Sequence, residues 1–166
     1  IGTYATSFTI PNLNPEQARI PISSVVVSNE LTDVRAALYN ASKGRQQAKE
    51  LSVDPLVDAG QKLIPSVTRV FSKSLPLYVY LQAYVHGISN KPFIGYVSLY
   101  QGSNKLLDSK QTLFVAHSQG SMSSASMRFS LDLKTILTGF YQCQVTVLAP
   151  GSSKTQFWRG DLQISP

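Results

Sequence analysis

The stretch Gly139-Phe140-Tyr141-Gln142-Cys143-Gln144-Val145-Thr146-Val147 decides the fold class. Tyr141, Cys143, Val145 and Val147 fall on one side of a period-two repeat, and Gln142, Gln144 and Thr146 on the other. Successive side chains of a strand point to opposite faces, so this pattern predicts a strand with one face in a core and one in water. Gly139, Tyr141 and Cys143, each two residues apart, also have the spacing of a tyrosine corner. In immunoglobulin-like domains that tyrosine hydroxyl bonds back to backbone where the chain enters the strand. Cys143 is the only cysteine. It has no partner for the inter-sheet disulfide of such domains, so it is expected to be a buried thiol packing as a small hydrophobe. Trp158 is the expected large core residue.

The same period runs outward along the chain. Tyr4, Thr6, Phe8 and Ile10 share a face of a first predicted strand ended by Pro11, and Ile20 to Val27 forms a second. Leu77, Val79, Leu81, Ala83 and Val85 alternate with Tyr78, Tyr80, Gln82, Tyr84 and His86. In 125–133, Met127, Phe129 and Leu131 oppose Ser126, Arg128, Ser130 and Asp132. Further strands are expected at 64–71, 93–101, 105–108, 112–118, 139–149 and 156–164. Turn residues punctuate them at Ser89-Asn90-Lys91-Pro92, Gly102-Ser103-Asn104 and Pro150-Gly151-Ser152-Ser153. Many short strands joined by tight turns read as an all-β, immunoglobulin- or fibronectin-III-like antiparallel sandwich. The expected organisation is a single domain over 1–166, interrupted by a partly helical insertion around 29–62. There Leu31, Val34 and Leu38 have helical spacing, Asn29 is a candidate N-cap and Gly44 a candidate stop.

A chain of 166 residues can bury a core without metals or disulfides. Charged residues make up 14% and hydrophobic ones 43%, against about 25% charged in an average protein. That composition suits a β-rich exported domain. The net charge of +6 and pI near 9.5 raise the question of nucleic acid. The basic residues are scattered from Arg19 to Arg159, however, with no basic helical stripe and no aromatic-basic motif of the RNA-recognition type. Nucleic acid is therefore not an expected partner, and no apolar run reaches transmembrane length. The start at Ile1 lacks signal-peptide character, as expected of a mature or excised piece.

Candidate chemistry is thin. Ala116-His117-Ser118-Gln119-Gly120 is one residue short of the G-x-S-x-G nucleophile elbow, which would make Ser118 a hydrolase nucleophile. The elbow needs a strand-to-helix turn and a later histidine. The only histidines are His86 and His117, and a strand pattern follows from Ala125. A non-enzyme is expected, with Ser118 in a strand that ends in a small-residue hairpin. Asp54 and Asp58 lack the further oxygen ligands of a metal site, and no phosphate loop or cofactor motif is present, so no cofactor or metal is expected. Asn40-Ala41-Ser42 is a formal glycosylation sequon. The tyrosines supply the one candidate ligand face. If the strands joined through Gly87 to Pro92 pair, Tyr78, Tyr80 and Tyr84 would join Tyr96 and Tyr100 in one aromatic platform for a sugar or a protein. The alternative is that the rings pack beneath the insertion.

Several segments together resemble the region after the von Willebrand factor A-like domain in bacterial VWFA-related proteins, typical of Acidobacteria. They are Asp54-Pro55-Leu56-Val57, the run from Leu63 to Phe71 and Pro76-Leu77-Tyr78-Val79-Tyr80, together with 139–147 and Phe157-Trp158-Arg159. The opening from Gly2-Thr3-Tyr4 to Ile10-Pro11 is similar to the strand that begins that region. The resemblance covers most of the chain in order and is weakest over Ser109 to Ser124. It implies a secreted or envelope protein whose preceding domain would carry any metal-dependent adhesion site. The D-x-S-x-S motif of that site does not occur here. The expected role is a non-catalytic protein-interaction or structural module, with a protein or an adjacent VWA-like domain as partner. A carbohydrate-binding module using the tyrosine face is the alternative.

Overall fold

The computed structural model describes residues 19–34, 54–86, 91–119, 122–149 and 154–166. Among them thirteen strands form and no helix is an element. In chain order these are β1 (Val26–Ser28), β2 (Leu31–Asp33), β3 (Val57–Asp58), β4 (Gln61–Leu63), β5 (Val70–Ser72), β6 (Leu77–His86) and β7 (Phe93–Gln101). There follow β8 (Asn104–Asp108), β9 (Thr112–Phe114), β10 (His117–Gln119), β11 (Met122–Leu131), β12 (Gly139–Leu148) and β13 (Thr155–Ser165).

Three sheets result. The first has the order β1-β6-β11-β10, the second β5-β13-β12-β7-β8 with β9 also on β7, and a small third is β2-β4-β3. All pairings are antiparallel except β5 on β13. The alternation read from the sequence sets which faces meet. Leu77, Val79, Leu81 and Ala83 of β6 and Ala125, Met127, Phe129 and Leu131 of β11 line one side of the core. Val97 and Leu99 of β7, Leu162 and Ile164 of β13, and Tyr141, Cys143, Val145 and Val147 of β12 line the other, and all belong to one buried cluster. Burying each large apolar side chain is worth about 1.5–3 kcal/mol, so this two-sided face dominates the stability.

Four expectations are corrected. The insertion begins as a strand, not a helix: Leu31 lies in β2 and pairs with Leu63 of β4, and of the expected helical positions only Val34 has helical backbone among the described residues. Asn29 is no N-cap but sits in a bend whose backbone is tied by the Ser28 hydroxyl, which receives the Glu30 N–H at 2.9 Å. Leu38, Gly44 and the sequon at Asn40 lie outside the described residues, as does the predicted strand from Tyr4 to Ile10. The strand expected over 64–71 shrinks to β5, because Arg69 takes a left-handed φ of 53° that breaks an extended run. The strand expected over 112–118 divides at Val115-Ala116: β9 pairs with β7 in the second sheet and β10 with β11 in the first. Finally, β6 and β7 do not pair at all. They belong to different sheets, and residues 87–90 between them lie outside the described set.

Candidate functional site

The corner at the start of β12 has the geometry expected of it. Tyr141 is 3% exposed, and its hydroxyl donates to the Leu137 carbonyl four residues upstream at 2.6 Å. Cys143 is fully buried, and that burial, only partly offset by the charge of Arg69, pushes the thiol up to about 12. Across β13 from Cys143 stands Gly160. A Cβ there would lie 2.4 Å from the Trp158 ring and 2.9 Å from Arg69. The glycine thus lets the indole lie along its own strand, with the Arg69 guanidinium 5.7 Å above the ring centroid. Trp158 is only partly buried and packs against the edge of the core, not its centre.

The single tyrosine platform does not exist, because its two halves ride on separate sheets. Tyr78, Tyr80 and Tyr84 lie on the outer face of the first sheet. The described ends of the insertion pack against that face: Arg128, in register with Tyr80, donates to the Leu56 carbonyl at 3.0 Å and lies 3.7 Å from Asp58. Tyr80 is 5% exposed, and its buried hydroxyl has no hydrogen-bond partner among the described residues. Burial, and after it the neighbouring Tyr80, push the Tyr84 hydroxyl above its ordinary value. The aspartates singled out in the sequence are structural. Partial burial opposes ionisation of Asp54, but hydrogen bonds from Lys62 and the Leu56 N–H, with the Lys62 charge, hold its carboxyl below the ordinary value.

Tyr96 and Tyr100 lie on the outer face of the second sheet, in different company. Strand register places Tyr96, Thr146 and Phe157 in one row, then Ser98, Gln144 and Arg159, then Tyr100, Gln142 and Asp161. Side-chain hydrogen bonds hold the middle row at both ends. Asp108 accepts from the Ser98 hydroxyl, Arg159 Nε donates to Gln144 Oε1 at 2.8 Å, and Gln144 Nε2 reaches the Thr146 hydroxyl at 3.2 Å. Phe157 and Phe140 are 54% and 75% exposed. Where β12 begins and β7 turns into β8, Tyr100, Gly102, Phe140, Tyr141, Gln142 and Asp161 line an open depression of about 390 Å³. Gly102 makes this possible. Its φ of 61° at the first central position of a two-residue hairpin turn is one that a side chain would disfavour.

Reading the sequence found Tyr96 and Tyr100 but missed Phe140, Gln142, Gln144, Phe157, Arg159 and Asp161. The signal was present in the outward positions of the 139–147 repeat. Periodicity marks such positions as solvent-facing without saying which strands lie beside them.

Ser118 sits in β10, opposite Ser123 of β11. A strand follows it, so the strand-to-helix turn of a nucleophile elbow is replaced by a β-hairpin. Among the described residues no group of three or more His, Cys, Asp or Glu is placed to hold a metal, and no helix is long and apolar enough to cross a membrane. Compared with known proteins, the chain matches no family model and no curated sequence.

Proposed function

We propose that the chain is a non-catalytic, immunoglobulin-like contact module of an exported or envelope-located bacterial VWFA-related protein. The module presents the outer face of its second sheet to a protein partner, such as a VWA-like domain of the same parent. The strand orders support the architecture. β1-β6-β11-β10 corresponds to the A-B-E-D sheet of an immunoglobulin sandwich, β7-β12-β13 to C-F-G, and the bond from Tyr141 to Leu137 to its tyrosine corner. The parentage rests on the segment resemblances alone.

One observation carries the contact role: Phe157, more than half exposed, stands in a row with Tyr96 on a face braced by the bonds of Ser98 to Asp108 and of Arg159 to Gln144. Aromatic residues and arginine are enriched where proteins meet, and rings on strands lose little freedom on binding. Mixing this chain with a VWA-like domain from the same parent, followed by amide chemical shifts, tests the reading. Shifts are expected along β7, β12 and β13, and Phe157→Ser together with Tyr96→Ser should abolish them. Association that ignores both substitutions, or no association, sinks the proposal.

A further inference from the structure

We propose that the depression at the end of this face is a binding site for a neutral saccharide. It shares the second sheet with the contact surface above but stands on different residues and does not depend on it. At about 390 Å³ it is at the small end of the range for ligand sites, roughly 300–1,000 Å³, and suits one or two sugar rings better than a large cofactor.

Its chemistry selects the class. Tyr100, Gln142 and Asp161 stand in line on three neighbouring strands, spanning roughly 10 Å given the spacing of strands in a sheet. Phe140 lies two residues from Gln142 on the same face of β12 and is 75% exposed. An exposed ring beside polar groups offers its face to the C–H face of a pyranose, while the sugar hydroxyls turn to the row. Gln142 supplies both a donor and an acceptor, and Asp161 only acceptors. Gln142 Nε2 lies 3.5 Å from Asp161 Oδ1, so the amide and the carboxylate can take neighbouring hydroxyls of a vicinal diol. Hydrogen bonds from hydroxyls to a carboxylate are the stronger, charge-assisted kind.

The charge of the lining disfavours anionic sugars. Asp161 is the one charged residue of the lining. Outside the lining, Lys105 is paired with Asp108, and Arg159, one row away on β13, donates to Gln144. Among the described residues of the lining no cation stands beside that carboxylate, so a phosphate, sulfate or uronate is the poorer fit. A basic side chain from a protein fits less well. It carries donors only, which leaves the Gln142 amide N–H facing another donor, and the net charge of +6 disfavours its approach. The strands also hold the row rigidly, as a binding constellation requires.

The test is calorimetric titration of the chain with cellohexaose, xylohexaose, mannohexaose and chitohexaose, and separately with a hexa-arginine peptide. At least one hexasaccharide should bind, with an affinity in the micromolar to millimolar range. Phe140→Ala and Asp161→Asn should each weaken it about tenfold or more, while Phe157→Ser leaves it unchanged. All three side chains are exposed, and thermal melts of the variants should match the parent. No binding by any hexasaccharide, or binding that survives both substitutions, overturns the proposal. So does binding of hexa-arginine alone with loss in Asp161→Asn, which would assign the depression to a basic peptide. None of these outcomes touches the Tyr96 and Phe157 surface, whose own test stands apart.

Discussion

Two tyrosines on facing elements show how the same hydroxyl can have opposite consequences. The Tyr141 hydroxyl is bonded to Leu137 O at 2.6 Å, whereas the buried Tyr80 hydroxyl has no partner among the described residues. A typical hydrogen bond adds about 0.5–1.5 kcal/mol net, and a buried polar group left unmatched costs about 1–3 kcal/mol. Tyr141→Phe should therefore destabilise the domain by roughly 0.5–1.5 kcal/mol, the net worth of that bond. Tyr80→Phe, the identical change, should be neutral or stabilising by up to about 1 kcal/mol. Urea denaturation of both variants checks the contrast, and equal losses in the two would contradict it.

At the scale of elements, the hairpin of β7 and β8 carries an ion pair that borders the candidate face. Lys105 and Asp108 are 2.6 Å apart. Partial burial opposes the Asp108 charge, yet bonds from Lys105 and Ser98 outweigh it and keep the carboxyl below its ordinary value. The bond to Asp108 correspondingly raises Lys105. A carboxyl depressed on folding stabilises the protein above its unfolded value, near pH 4, and that contribution is lost as pH falls through the folded value. The melting temperature should thus decline between about pH 5 and pH 3. In Asp108→Asn it should start slightly lower at neutral pH and decline less. The pair is half exposed, so the difference will be small, and an unchanged slope in the variant would remove Asp108 from the account. This hairpin was legible because Gly102-Ser103-Asn104 is turn chemistry between two alternating runs. The split of 112–118 into β9 and β10 was not. Both halves keep a strand pattern, and the break comes from the chain crossing between sheets, which local sequence does not encode.

For the whole molecule, the two sheets close over Cys143, which then reports on their separation. With its thiol fully buried and pushed up to about 12, the reactive thiolate is suppressed twice over. Near pH 8 a thiol reagent should modify Cys143 only as fast as the sandwich opens globally. Its labelling should be slow in the native protein and complete in denaturant, with a labelling free energy equal to that of unfolding. Rapid modification of the native chain would mean that the sheets part locally at β12.

The sequence by itself determined the long strands and their inward faces. Alternation at Leu77 to Val85, Met127 to Leu131 and Tyr141 to Val147 is dictated by the two-residue period of an extended chain, and burial of those faces outweighs local propensity. The corner at Tyr141 was legible too, because it is closed within a few residues of chain. Only the tertiary structure decided which strands are neighbours. The tyrosines of β6 and β7 carry the same pattern, but the chain crosses from one sheet to the other between them, so one set lies on the first sheet against the described ends of the insertion and the other stands beside Gln142, Phe157 and Asp161. Strand pairing is set by contacts distant in sequence, and a period of two says which way a side chain points but never what stands next to it.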